Sequence, residues 1–223
     1  MISKMQNKKL IIYGIGKLAD YAAYVFQEDS NFNIIAYCIE EDYLKAHPQL
    51  NNIQSFENLQ GELLKSDTFL FVAVGNNLIR ERIFSIARQK GFKLATYISS
   101  RASTWSNLKI GQNCFIGEGS IIQPFVEIKN NSFLFGARLG HHCIIGENVL
   151  LSGPTIGGDV SVGDFTFIGL NSVIQQNIKI GKKNIIGMGV AITKTTSDNS
   201  VFSAPKVKKR DITYDQISDN YLK

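Results

Sequence analysis

Residues 156–192 read IGGDVSVGDFTFIGLNSVIQQNIKIGKKNIIGMGVAI, with an aliphatic side chain at Ile156, Val162, Ile168, Ile174, Ile180, Ile186 and Ile192. A six-residue period is neither the roughly 3.6-residue period of a helix nor the two-residue alternation of a half-buried strand. It is the short fixed repeat of a β-helix. Upstream the same cycle runs through Ile110, Ile116, Ile122, Ile128 and Leu134, then Leu139, Ile145 and Leu151, slipping by one residue at 134 to 139 and at 151 to 156. Glycine often follows the aliphatic residue, as at Gly111, Gly146, Gly163 and Gly181, where it suits a tight corner. Four residues after it the side chain is mostly small, as at Cys114, Ser120, Val126, Ser132, Cys143, Val149, Thr166, Ser172 and Val190. These two positions are expected to point inward. Fifteen repeats, three to a coil, predict five coils in a prism on the order of 24 Å long. A barrel or sandwich would show two-residue alternation broken by turns instead.

Before this repeat the pattern alternates strand and helix, as in a parallel sheet with crossover helices. Strands are expected at 10–13, 33–39, 68–74 and 92–97, and helices at 17–27 and 78–90. The predicted fold class is therefore α/β plus β: a Rossmann-like domain over 1–100, a left-handed parallel β-helix over 101–196, and a basic tail over 197–223 whose 212–222 stretch is a candidate helix.

The chain has 223 residues, 44% hydrophobic and 19% charged, an ordinary globular composition. No segment approaches the roughly 20 apolar residues of a membrane span, and the apolar run at 10–13 is too short for a signal peptide, so a cytoplasmic location is expected. Cys38, Cys114 and Cys143 lack CxxC spacing, which argues against a disulfide framework or a zinc site. The net charge of +5 is scattered apart from 206–210, suiting a small polyanion as well as a nucleic acid.

Of three histidines, His47 is expected in a surface loop, while His141 and His142 lie just beyond the first slip. Read as strand neighbours, they would face opposite ways and chelate no metal well. An imidazole outside a rigid coil suits a general base for acyl transfer to an amine; a surface histidine bonded to a turn is the plain alternative. Gly14-Ile15-Gly16 between a strand and a helix is the start of a phosphate-cradling loop, although a third glycine is absent. Glu40-Glu41-Asp42 and Gly75-Asn76-Asn77 end the next two strands on the same carboxyl edge, where such folds bind nucleotides. An NAD-dependent oxidoreductase would need a fuller glycine fingerprint and a second catalytic domain.

Five motifs together resemble the bacterial sugar O-acyltransferases of the sialic acid O-acetyltransferase family: residues 11–16, Glu40-Glu41, 72–77 with Arg80, 139–146 and 201–205. That family includes N-acetyltransferases acting on nucleotide-linked amino sugars, and the resemblance covers roughly residues 8 to 210. It implies a homotrimer that binds acetyl-CoA between neighbouring β-helices and a UDP- or dTDP-linked amino sugar on the N-terminal domain, in surface glycan (lipopolysaccharide or O-antigen) synthesis, with no metal, nucleic acid or membrane span. It implies His141 as catalytic base with His142 beside it, Gly14, Gly16, Lys17, Glu40, Glu41, Gly75, Asn76 and Arg80 at the nucleotide sugar, and Gly169, Gly187, Gly189, Ala204 and Pro205 along CoA.

Three departures stand out. Lys17-Leu18 replace the family's Gly-His. His142 replaces an acidic neighbour of the base, so the group that orients His141 is expected elsewhere. Leu150 stands where the family has a histidine near CoA. Acetylation of a hydroxyl uses the same base, and a non-catalytic nucleotide-binding trimer is the rival from another class.

Overall fold

The computed structural model describes residues 8–50, 52–59 and 67–213. In the first part β1 (Lys8–Tyr13), β2 (Phe32–Ile39), β3 (Ile53–Ser55), β4 (Thr68–Val72) and β5 (Lys93–Leu94) form one parallel sheet in the order β3-β2-β1-β4-β5. Helices α1 (Lys17–Asp29) and α3 (Asn77–Gln89) connect its strands. Leu10, Ile11, Ile12, Leu70, Phe71 and Val72 are fully buried, as strands covered on both faces require. The acidic turn after β2 is not a loop: Glu41–Ala46 forms a short helix, α2, with Glu41 and Asp42 in its first turn, where carboxylates suit the positive end of the helix dipole. His47 ends it, its Nδ1 2.9 Å from the Tyr43 carbonyl and its ring stacked on Tyr43.

Fifteen short strands follow, from Lys109–Ile110 to Ala191–Ile192, every pairing parallel, and wind a left-handed three-sided β-helix. The first face carries Lys109–Ile110, Glu127–Ile128, Ile144–Ile145, Ser161–Val162 and Lys179–Ile180. The second carries Phe115–Ile116, Phe133–Phe135, Leu150–Ser152, Phe167–Ile168 and Ile185–Ile186, and the third Ile121–Ile122, Arg138–Leu139, Thr155–Ile156, Val173–Ile174 and Ala191–Ile192. The core is the predicted pair of columns: the aliphatic positions from Ile116 to Ile192 and the small ones from Cys114 to Val190 are buried.

Corners are built by left-handed residues. Asn113, Asn131 and Asn148, with Phe165 and Lys183 below, turn the first edge; Phe125, His142, Asp159 and Asn177 turn the third. Asparagine and glycine tolerate this conformation best, because the bulk at Cβ is what opposes it. Both slips fall on the edge between the second and third faces, where Gly136 and Gly153 make the shortened corners at φ +58° and +64°.

The expected strand over 92–97 is divided. Lys93–Leu94 closes the first sheet, whereas Tyr97–Ile98 pairs with Phe115–Ile116 and starts the second face of the β-helix. At the other end Val201–Phe202 pairs with Ile185–Ile186, so this ladder runs beyond the legible repeat on both sides. The helix expected over 212–222 falls outside the described residues except for Ile212 and Thr213, which carry no regular structure.

The two parts dock through the second face. Phe115 and Phe133 of the β-helix lie in one buried cluster with Phe26, Phe71 and Tyr97, and the Phe71 and Phe133 rings stack at 5.4 Å. Each such ring contributes on the order of 2 kcal/mol from area burial. Polar contacts fix the register: Val72 N–H donates to Asn113 Oδ1 at 2.8 Å, and Asn113, Asn131 and Asn148 form a buried ladder with two Nδ2–Oδ1 bonds of 2.6 Å.

Candidate active site

Two sites take shape, one on each part of the molecule. The first is a cleft of about 370 Å³ at the carboxyl edge of the parallel sheet, lined by Tyr13, Gly14, Gly16, Lys17, Glu40 and Gly75 among others. Gly14 has φ +123°, and a Cβ there would stand 2.9 Å from the Ala73 carbonyl oxygen, so only glycine lets β1 and β4 converge at this point. Gly16 caps α1 with no side-chain bond to the helix, leaving first-turn N–H groups facing an anion's natural position.

Glu40 enters this cleft already engaged. Arg82 grips it with two bonds of 2.5 and 2.9 Å, which hold its carboxyl below the usual range against the opposing effect of partial burial. Arg82 was not singled out by its position in the sequence, since only the fold carries α3 back to the end of β2. Glu41 points away from the cleft, paired with Lys45 at 2.8 Å. Asn76 caps α3, its Oδ1 accepting from the N–H groups of Leu78 and Ile79. Arg80, expected at the nucleotide, has no exposed surface: it lies behind the 74–77 loop, bonded to it, and does not reach the cleft.

The second site is the third edge of the β-helix, joining the third face to the first. His141 and His142 occupy a corner rather than a strand, with His142 at φ +58°. The corner turns the two rings toward each other, and their Nδ1 atoms lie 3.1 Å apart. The orienting partner expected elsewhere is therefore His142 itself. One ring must donate and the other accept. With hydrogen on Nδ1 of His141, donated to His142, Nε2 of His141 is left with a free lone pair. Phe125, one coil away, stacks on His142 at 4.7 Å, and the His141 N–H donates to Gln123 Oε1 at 3.0 Å. Beneath the His141 ring lies Gly158, where a Cβ would stand 2.8 Å from Cε1. Among the described residues no group of three metal-ligating side chains exists, and no helix is long and apolar enough to cross a membrane.

Gly169, Gly187 and Gly189 stack along the remaining edge, between the second and third faces. A Cβ would meet backbone at 2.9 Å at Gly169 and 3.1 Å at Gly187, while Gly189, at φ +69°, faces open space. Ala204 and Pro205 follow the last strand and are exposed. Leu150 packs half-buried against the docked α/β part. In a three-sided prism the His141 edge lies opposite the second face, where the α/β part docks, so the cleft and His141 of one chain face different directions.

A model of the PglD N-terminal domain matches residues 9–87, and one described as the hexapeptide repeat of succinyl-transferase matches 107–153 and 159–194. Among solved structures, PerB of Caulobacter crescentus, in complex with CoA and GDP-perosamine, superposes with a TM-score of 0.75 at 23% identity, covering 86% of this chain and 92% of that one. The acetyltransferase domain of PglB from Neisseria gonorrhoeae gives 0.75 at 23% identity over 87% and 96%. An acyl-[acyl-carrier-protein]–UDP-N-acetylglucosamine O-acyltransferase of Sinorhizobium fredii is 33% identical over 37% of this chain and 34% of its own length. Bifunctional protein GlmU of Pseudoalteromonas atlantica is 27% identical over 46% of this chain. The chain thus spans about a third or less of these curated relatives, 34% and 28%. Together the two matches place a PglD-type N-terminal domain ahead of a hexapeptide-repeat region in this chain.

Proposed function

We propose that this protein transfers the acetyl group of acetyl-CoA to the amino group of a nucleotide-linked sugar, with His141 as general base. The observation that carries this reading is the His141–His142 pair, two rings in contact through their Nδ1 atoms on the exposed edge of a rigid coil; the tautomer in which His141 donates leaves its Nε2 free to accept a proton. The amine attacks the thioester carbonyl, Nε2 of His141 takes the proton from nitrogen, and CoA leaves as the thiolate. The glycine loop, the α1 N-terminus and Lys17 suit the diphosphate of the sugar nucleotide. Its base and ribose would then lie toward Glu40 and Gly75. The glycine edge at 169, 187 and 189, with Ala204 and Pro205, suits the extended CoA chain. The structural relatives bind CoA, acetyl coenzyme A and GDP-perosamine, which supports both ligand classes.

Because the cleft and His141 of one chain face different ways, this reading joins the cleft of one copy to the β-helix of a neighbour. Ile121, Val173 and Ile144 flank the His141 edge with 42–48% of their surface exposed, which favours cover by a second chain. A homotrimer serving a surface-glycan pathway in the cytoplasm fits these features.

The test is thiol release from acetyl-CoA with a panel of UDP-, dTDP- and GDP-linked amino sugars, in wild type and His141→Ala. Turnover with one amino sugar that falls at least a hundredfold in the variant supports the reading. Turnover only with hydroxyl acceptors moves it to O-acetylation, and no turnover with any acceptor favours a nucleotide-binding scaffold.

A further inference from the structure

Among the described residues Arg80 is the largest fully buried side chain and has no ion-pair partner. Burial lowers its pKa to about 10, still far above neutrality, so a full positive charge sits inside the molecule. If packing alone were at stake, an apolar side chain of similar shape would serve as well or better. What Arg80 supplies is direction. Nη1 donates to the carbonyls of Val74 and Gly75 at 2.9 and 3.1 Å, and Nη2 donates to Asn77 Oδ1 at 3.0 Å. Nε donates to the Asn131 carbonyl of the β-helix at 3.2 Å, and the guanidinium lies 4.4 Å over the Phe133 ring.

One planar fork thus ties the loop that ends β4 to a corner of the β-helix. In a trans peptide the N–H points opposite to the carbonyl. With the Val74 and Gly75 carbonyls drawn back to Arg80, the N–H groups of Gly75 and Asn76 point away from it. Neither donates within the chain among the described residues, and Gly75 lines the cleft. Two free donors over a buried cation make a seat for an anionic oxygen.

We infer that Arg80 is a positioning residue of the nucleotide cleft: it never touches the ligand, but aims the Gly75 and Asn76 N–H groups at a phosphate or other acceptor of a nucleoside diphosphate. The inference rests on the nucleotide reading of the cleft.

The test uses the full chain, with calorimetric titration of UDP, dTDP and GDP and amide hydrogen exchange in wild type, Arg80→Lys and Arg80→Ala. The expected result is that the diphosphate bound by wild type loses on the order of tenfold in affinity in both variants, about 1.4 kcal/mol. Lysine does not rescue, because a single ammonium cannot span four acceptors, whereas added guanidinium restores part of the affinity to Arg80→Ala. Bound diphosphate slows exchange at Gly75 and Asn76 in wild type and does so less in the variants, while the β-helix amides keep their protection. In turnover the effect appears in KM for the sugar nucleotide and spares kcat. Unchanged affinity and unchanged protection of these two amides by bound diphosphate overturn the inference. If both variants unfold, Asn77→Ala, which removes one anchor and leaves the charge in place, decides by the same two measurements. A wild type that binds none of the three diphosphates overturns the nucleotide reading and the inference with it, whereas diphosphate binding that both variants keep overturns the inference alone.

Discussion

Nδ1 of His141 lies 3.1 Å from Nδ1 of His142, although the two residues are adjacent in the chain. Neighbours on a strand cannot meet in this way; the left-handed turn at His142 is what folds the second ring back onto the first. His142 therefore orients the His141 ring. His142→Ala is expected to lower kcat about tenfold to a hundredfold with little change in either KM, since it frees the His141 ring without touching the cleft. His142→Asp, which tolerates the left-handed turn and restores an acceptor, is expected to recover most of the loss. Steady-state thiol release decides it, and a His142→Ala variant as fast as wild type ends the orienting role.

Gly158 sets the height of the His141 ring. A methyl at this position would stand 2.8 Å from Cε1 and 3.0 Å from Nε2, so the ring must tilt away. Gly158→Ala is expected to lose activity about as severely as His142→Ala while melting within a few degrees of wild type, because the displaced ring is exposed and free to move. Activity and thermal melting together check this.

The asparagine ladder stabilises the β-helix and its contact with the sheet. Asn131 is buried, holds Asn113 and Asn148 by bonds of 2.6 Å each, and sits at φ +59°. Asn131→Ala is expected to cost about 2–4 kcal/mol in urea unfolding, combining the two lost bonds with the strain of a left-handed alanine. Asn131→Gly removes the strain and is expected to cost roughly 1 kcal/mol less. Equal losses in the two variants would show that the turn conformation carries no share.

Asp29 makes stability depend on acid. It ends α1, where the helix dipole disfavours a carboxylate. Burial also raises its pKa, yet Ser100, Tyr97 and Ser99 donate to it and hold it down at about 2. A carboxyl whose folded pKa lies below its unfolded value stabilises the protein above the unfolded pKa, near 4, and loses that contribution as pH falls toward 2. After allowance for solvent screening at this rim, the contribution is about 1 kcal/mol. Asp29→Asn should lower stability at pH 7 by that amount and flatten its dependence between about pH 4 and pH 2. Chemical unfolding across that range reads the slope directly.

Much of the architecture was legible because two periodicities report packing directly. The aliphatic and small columns of the β-helix are inward positions of a coil whose pitch is set by its own repeat, and β1 runs into Gly14 because the backbone after β4 approaches it closely there. Residues 92–97 were read as one strand because local pattern cannot say which of two sheets an apolar pair will join. The acidic residues 41 and 42 were read as the end of a strand, since a helix of six residues shows too little periodicity.

By itself, then, the sequence determined a six-residue coil preceded by a small parallel α/β unit, and it marked Gly14, Gly16, Glu40, Gly75 and the histidine pair, because glycine corners and repeat positions are local properties. Tertiary structure alone decided that Arg80 braces the loop from behind, that Arg82 holds Glu40, that His142 turns onto His141, and that the cleft and His141 lie on different parts of the molecule. The first and last depend on which face of the prism the α/β part covers, the second on the sheet order that carries α3 back to the end of β2, and the third on the sign of one φ angle. Those outcomes are set by contacts between residues far apart in the chain, or by a coil closing on itself, and neither leaves a local pattern to read.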